Sequence, residues 1–379
     1  MNQRAMIKIA FVIDTVESPT AGTEKQLLLL IKHLDRTRFE PYLCVLRSSK
    51  WIEEKFDLCS LFVAGIDSFK TITGLKGILR LSGWFNENGI NIVQTHFRDS
   101  SIAGILAARF AGIKTVIGTR RNQGYWLTPV ELRMQKFLDR WVTAYIANSQ
   151  STKQWMANTE GVDLKRVEVI NNGFDFSIIE TESDINRKEM RLSLGVAEDA
   201  PVIGIVANLR PIKDHATFLQ AANIVHAQIP TARFLIIGDG SEKPVLQKQT
   251  EELKLTDTVI FLGARLDVPR ILAACDIGVL SSRSESFSNA IVEYMAAGLP
   301  VVTTDVGGAR EAVDDGINGF IVAIGDFEEM GKRIIELLKA DTIKQMGRES
   351  RKRSLERFAL TSMVAKTEYL YNRCQEGSN

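Results

Sequence analysis

A chain of 379 residues with 45% hydrophobic and 25% charged side chains is long for a single core and suits two domains of ordinary size, with a ligand expected in the cleft between them. A formal charge of +1 excludes the strongly basic signature of a nucleic-acid-binding chain. The four cysteines (Cys44, Cys59, Cys275, Cys374) lack C-x-x-C spacing and point to reduced thiols in a cytoplasmic protein, and the four dispersed histidines (His33, His96, His215, His226) argue against a zinc site.

The start, MNQRAMIKIAFVID, runs straight into a strand-like segment, without the apolar core of about 7–15 residues that marks a signal peptide. No later run reaches the roughly 18 apolar residues needed to span a bilayer. Short apolar runs at 7–14, 42–47, 90–96, 114–119 and 141–149 alternate with amphipathic stretches at 24–34 and 101–112, the pattern of parallel strands joined by crossover helices. Residues 74–89 (GLKGILRLSGWFNENG) read as an amphipathic helix with Leu75, Ile78, Leu79, Ser82 and Phe85 on or near one face, and Lys76 and Arg80 elsewhere. That face either packs on the sheet or touches a membrane. After VEVINNGFDF (167–176), the charge-rich residues 177–200 read as a hinge.

Beyond it the alternation begins again, with strand-like PVIGIVANL, ARFLIIGDG, TVIFLGA, IGVLSS, PVVTTD and GFIVAIGD separated by helical stretches. The chain is therefore predicted to be α/β, with two doubly wound domains of mostly parallel strands at 1–178 and 179–357, and a last helix at about 358–375 returning to the first domain. Residues 1–180 carry 23 Lys+Arg against 18 Asp+Glu, and residues 181–379 carry 24 against 28. A basic first half suits an anionic acceptor or membrane surface, and equally an ordinary solvated face.

Three motifs in the second half can carry chemistry. IIGDGSEKPVL sets Gly238, Asp239 and Gly240 between a strand and a helix, where backbone N–H groups either approach a phosphate or simply form a tight turn; Lys243 in place of a third glycine rejects a dinucleotide fingerprint. VANLRPIKDHATFLQAA brings Arg210 and Lys213 to the start of a helix expected to be capped by Asp214, a natural diphosphate site. SRSESFSNAIVEYMAAGLPVV places Glu285 in a loop and Glu293 in the second turn of a helix with Ser288 or Asn289 as N-cap, closed by Gly298 and Pro300. The spacing rejects a capping box, and both acids can face one ligand at the helix entrance.

Taken together, the E-x7-E pair Glu285/Glu293 with VINNGFD, ANLRPIKDH, IIGDGSE and VIFLGAR, in that family's order, resembles the retaining GT-B glycosyltransferases of family 4. The resemblance implies a GT-B architecture, an acceptor-side first domain, and a second domain that binds a nucleotide-diphosphate sugar of UDP or GDP type. It implies that Glu285 holds donor-sugar hydroxyls, that the amides of Phe287, Ser288 and Asn289 meet sugar and phosphate, and that Glu293 takes the ribose. Arg210 and Lys213 would neutralise the leaving diphosphate, with Gly238, Asp239, Gly240, Gly263, Ala264 and Arg265 flanking base and ribose, and Gly22 approaching the diphosphate. It further implies front-face retention, and a glycan or lipid-linked acceptor of cell-surface polysaccharide or lipopolysaccharide synthesis, with peripheral contact at the inner face of the membrane. No D-x-D occurs, which fits metal independence, and no cofactor is expected.

The chain departs from the family pattern in two places. Asn208 stands where the family has an Arg, so Arg210 is taken as the substitute cation; Arg120 and Arg121 stand where the family has a His near the reacting centre, with His96 matching the second His of H-x-H and Gln94 the first. A guanidinium is not a base at neutral pH, so Arg120 and Arg121 would bind phosphate or an anionic acceptor, or be mere loop charges. A nucleotide-sugar 2-epimerase and a non-catalytic nucleotide-sugar binder are the alternatives on the same architecture.

Overall fold

The computed structural model describes residues 6–19, 22–122, 124, 128–177, 184–339 and 342–377. The chain forms two compact units, Met1–Gly173 with Leu360–Asn379, and Phe174–Ala359. The boundaries thus fall at 173/174 and 359/360, where the sequence suggested 178/179 and 357/358.

In the first unit seven parallel strands, β1 (Ile7–Ile13), β2 (Phe39–Val45), β3 (Ser60–Val63), β4 (Ile92–Thr95), β5 (Thr115–Arg120), β6 (Ala144–Ala147) and β7 (Val167–Val169), lie in the order β3-β2-β1-β4-β5-β6-β7. Their alternation sorts side chains to two cores. Ile9, Phe11 and Ile13 join Leu27, Ile31 and residues of the Leu360–Glu376 helix on one face, while Ala10 and Val12 meet Ile78, Leu81, Phe85 and Ala103 on the other.

The second unit repeats the plan with β8 (Val202–Val206), β9 (Arg233–Ile237), β10 (Val259–Gly263), β11 (Ile277–Leu280), β12 (Val301–Thr304) and β13 (Gly319–Val322), in the order β10-β9-β8-β11-β12-β13. Ile203, Ile205, Ile277 and Val279 enter one core, and Val202 and Leu280 the other. Each sheet reverses its order once, between β1 and β4 and between β8 and β11, and the carboxyl ends of strands flanking such a reversal are where open α/β sheets hold ligands.

The expected hinge is different in kind. Residues 178–183 lie outside the described residues, but Asp184–Ser193 is a helix of the second unit. The Arg191 side chain is buried and donates to the carbonyls of Ala274, Glu198 and Ala200 and to Asp276. This helix is strongly polar on average and is fastened by a buried guanidinium, so in the sequence its charge reads as a linker.

The 74–89 helix spans Ile72–Glu87 and buries Gly74, Gly77, Ile78, Leu81, Ser82 and Phe85. Leu75 and Leu79 leave the face assigned to them and form an exposed stripe with Ile72. Gly74 and Gly77 explain the rotation: a Cβ on Gly74 would lie 2.1 Å from the Ser68 carbonyl oxygen, so the glycine edge is the one pressed inward. Among the described residues no helix is long and apolar enough to cross a membrane.

Candidate active site

The Glu285 loop leaves the carboxyl end of β11 and is fastened to the loop that leaves β8. Ser281 Oγ donates to the Lys213 carbonyl at 3.0 Å, and the Arg283 N–H to the Ile212 carbonyl at 2.9 Å. The Arg283 side chain donates to Asp214 Oδ2 at 2.9 Å. Across this seam Lys213 Nζ meets Glu285 Oε1 at 2.5 Å, and Ser282 Oγ donates to the same oxygen at 2.8 Å. The two charged side chains are 24% and 12% exposed, partly withdrawn from water, where the attraction between ions is strengthened.

Asp214 is at the N-cap position of the His215–Gln228 helix but makes no side-chain cap bond. Its backbone is left-handed (φ 48°, ψ 48°), and its buried carboxylate receives Arg283 and the Thr217 hydroxyl instead. A non-glycine residue in this region is strained, and surrounding bonds must hold it there. Here they are the bonds that seam the loop after β8 to the loop after β11.

The Asn289–Ala296 helix begins after Ser288, whose side chain makes no cap bond. Orphan N–H groups at a helix start attract negative charge. Phe287 is buried, with its ring 5.2 Å from that of Phe358, so its side chain anchors the loop and only its backbone is available to a ligand. Glu293 sits half-buried on the second turn, as the spacing predicted. Tyr294 fixes this helix to the sheet: its hydroxyl accepts the Val206 N–H at 2.6 Å and donates to the Val279 carbonyl at 3.0 Å.

The glycine motif takes the tight-turn form of its two readings. The Gly238 N–H donates to the Gly263 carbonyl at 2.9 Å and the Gly240 N–H to Asp239 Oδ1 at 2.8 Å, so neither is free for a phosphate. Both residues have positive φ (150° and 158°), and a Cβ would fall 2.0 Å from the Ala207 carbonyl oxygen at Gly238 and 2.4 Å from that of Leu209 at Gly240. Glycine is required there so that the β9 turn can press on the β8 extension. Asp239 and Gly240 remain exposed, as do Ala264 and Arg265 beyond Gly263. Arg265 is paired in bidentate fashion with Asp267 at 2.7 and 2.6 Å.

Arg210 is exposed and lines a groove of about 400 Å³ with Glu242, Val245, Gln249 and Arg283. Lys213 turns to Glu285, so the two cations have different neighbours. Sequence reasoning passed over Ser282, which steadies Glu285, and Gly307, whose Cβ would lie 2.1 Å from the Glu285 carbonyl oxygen at φ +50°. The Gly307–Gly308 pair after β12 was the available signal.

In the first unit Gly22 opens the Gly22–His33 helix and is exposed, while residues 20 and 21 of its loop lie outside the described residues. Arg120 is engaged by a buried carboxylate and a ring. Its Nε contacts both oxygens of Glu160 at 3.2 and 3.3 Å, and its guanidinium lies 5.1 Å from the centroid of the Tyr145 ring. Arg121 donates to Asn172, and burial lowers its pKa to about 10, leaving it cationic. His96 is buried beside it. Burial, with the Arg121 charge, lowers the imidazole to about 3, so the ring is neutral.

Two family models cover most of the chain: "Glycosyltransferase Family 4" matches residues 20–177 and "Glycosyl transferases group 1" matches residues 200–340. The chain is 26% identical over 312 residues to the UDP-Gal:alpha-D-GlcNAc-diphosphoundecaprenol alpha-1,3-galactosyltransferase of Escherichia coli, covering 79% of this chain and 80% of that protein. It is 29% identical over 184 residues to the N-acetyl-alpha-D-glucosaminyl L-malate synthase of Bacillus anthracis, 48% of each chain. In fold it is similar to Anabaena HepE in complex with UDP, with TM-score 0.86, 24% identity, and coverage of 97% of this chain and 100% of that one. The lipopolysaccharide outer core galactosyltransferase WaaB is similar at TM-score 0.73 and 16% identity, covering 97% of this chain and 100% of that one. The chain belongs to the group 1, family 4 glycosyltransferases, enzymes that transfer a sugar from a nucleotide-sugar donor.

Proposed function

We propose that this enzyme transfers a sugar, with retention of configuration, from a UDP-sugar to a glycan or lipid-linked acceptor in cell-surface polysaccharide or lipopolysaccharide synthesis. The observation that carries the reading is the Lys213–Glu285–Ser282 cluster at the carboxyl ends of β8 and β11, beside the uncapped entrance of the Asn289–Ala296 helix. Relatives act on a UDP-galactose donor or are seen with UDP and UDP-glucose, which favours a uridine donor.

Chemically, the step builds negative charge on the leaving diphosphate as the anomeric carbon becomes cationic. Lys213, Arg210 and the helix-entrance amides meet the first charge. Glu285, held by Lys213 and Ser282, accepts hydrogen bonds from donor-sugar hydroxyls, and Glu293 receives the ribose. Cations and amide dipoles supply the charge stabilisation, without a cofactor or metal ion. A leaving-phosphate oxygen takes the acceptor proton.

Nucleotide release from a panel of UDP- and GDP-sugars, with and without EDTA, tests the reading. UDP-sugars should be turned over in EDTA; binding of no donor would remove the proposal, and strict dependence on a divalent metal would overturn the electrostatic scheme. Glu293→Ala should weaken UDP binding by about tenfold, the loss of one charged hydrogen bond, while Glu285→Gln lowers turnover more than affinity. Equal effects of both would cancel the separate roles.

Peripheral membrane contact rests on the exposed stripe Ile72, Leu75 and Leu79, with Lys76 and Arg80 on the same helix. Apolar side chains flanked by cations suit an anionic bilayer surface. Co-sedimentation with phosphatidylglycerol vesicles should exceed that with phosphatidylcholine and fall in the Leu75→Ser/Leu79→Ser variant. Equal sedimentation of the variant would leave that helix without a membrane role.

A further inference from the structure

At the carboxyl ends of β1, β4 and β5 the first unit encloses a pocket of about 280 Å³ whose walls include Asp14, His96, Ile102, Ile105, Thr119 and Met134. Two buried polar atoms there, His96 Nδ1 and Thr119 Oγ1, have no hydrogen-bond partner among the described residues, though their residues are only 4% and 1% exposed. Leaving such atoms unsatisfied is costly, and both belong to residues of the pocket wall.

From these features we infer that the pocket holds a neutral, hydroxyl-rich ring of the acceptor, an uncharged saccharide, and turns away rings that carry a carboxylate or phosphate. The inference rests on the glycosyl-transfer reading and narrows its acceptor class.

The charge of the lining decides the ligand's charge. Five carboxylates (Asp14, Asp99, Glu131, Asp139, Glu160) face three guanidiniums. Arg98 is taken by Asp99 and Glu131, and Arg120 by Glu160. Arg121 is the remaining cation. Asp14 makes no ion pair among the described residues; its Oδ1 accepts the Ser100 N–H at 2.8 Å, and burial raises its carboxyl above the ordinary range. An anionic ring entering this lining would add to an existing excess of negative charge. A neutral hydroxyl instead donates to Asp14.

His96 supplies the complementary donor. The Tyr371 hydroxyl donates to Gln94 Oε1 at 2.5 Å, which turns the Gln94 amide nitrogen to His96 Nε2 at 3.4 Å. Since the ring is neutral and Nε2 accepts, its proton is on Nδ1, the unpartnered atom. The pocket therefore offers an N–H from His96, a carboxylate from Asp14, and a hydroxyl from Thr119 that serves either way. Ile102, Ile105 and Met134 form an apolar wall for the C–H face of the ring.

The test is calorimetric titration of the full chain, saturated with UDP, with glucose, galactose and N-acetylglucosamine and with glucuronic acid and glucose 6-phosphate. At least one neutral sugar should bind about tenfold more tightly than either charged one. Asp14→Asn should weaken the neutral sugar by about tenfold and narrow its advantage over the charged ones, and Thr119→Val should weaken it too, with UDP affinity unchanged in both. No binding of any neutral sugar, tighter binding of a charged one, or an unaltered neutral affinity in Asp14→Asn would each overturn the inference. Lost UDP binding with retained sugar binding would fault the donor reading instead.

Discussion

Lys213→Met should lower turnover by about 10²–10³-fold, the cost usually seen when one preorganised charge is removed from a developing anion. Lys213 is placed to act in two ways, as a counter-charge for the leaving diphosphate and as the clamp on Glu285 at 2.5 Å. The substitution removes both and leaves Glu285, 12% exposed, held by the Ser282 hydroxyl. A purely structural ion pair would behave differently. Pairing Lys213→Met with Glu285→Leu would then restore the melting temperature and turnover together, because replacing both members of a partly buried pair is often neutral. On the catalytic reading the double variant regains stability and stays inactive. Recovery of turnover in it would show that the pair merely holds the loop.

Much of the second unit was legible because its chemistry lies in contiguous strand–loop–helix segments. Glu285 and Glu293 were placed from spacing alone, since a loop and a helix second turn follow from SFSNA and from the Gly298 stop. What sequence reasoning could not supply were the partners across segments. Lys213 to Glu285, Arg283 to Asp214, and Gly307 under the Glu285 carbonyl all join residues whose meeting depends on which strands are neighbours. Gly238 and Gly240 show the same limit from the other side: a turn that looks ready for phosphate has its N–H groups filled by Gly263 and Asp239. In the first unit, Arg120 and Arg121 look alike as neighbours in the sequence. The β pleat sends them to different surroundings, one to Glu160 and Tyr145, the other to Asn172 beside His96.

That divergence makes Arg120→Met the sharper test of the first unit. Glu160 is buried, with its side chain 1% exposed, and Gln135 and Arg120 satisfy it. Removing the guanidinium leaves a buried carboxylate without its cation, which typically costs about 3–5 kcal/mol and lowers the melting temperature by on the order of 10 °C in a unit of this size. The pH dependence has a definite sign. Burial already raises the Glu160 carboxyl above its ordinary value, while the charge and hydrogen bond of Arg120 pull it back. A raised carboxyl favours the folded state at pH below its unfolded value and loses that advantage as pH rises through its folded value. Taking away Arg120 raises it further and widens that window. The deficit of the variant against the parent is therefore greatest at neutral pH and above, and shrinks as pH falls toward about 4.3, where the unfolded glutamate also takes up its proton. Melting curves of both proteins at several pH values measure this directly. A variant that melts with the parent at pH 7 but no longer transfers sugar would return Arg120 to the acceptor site.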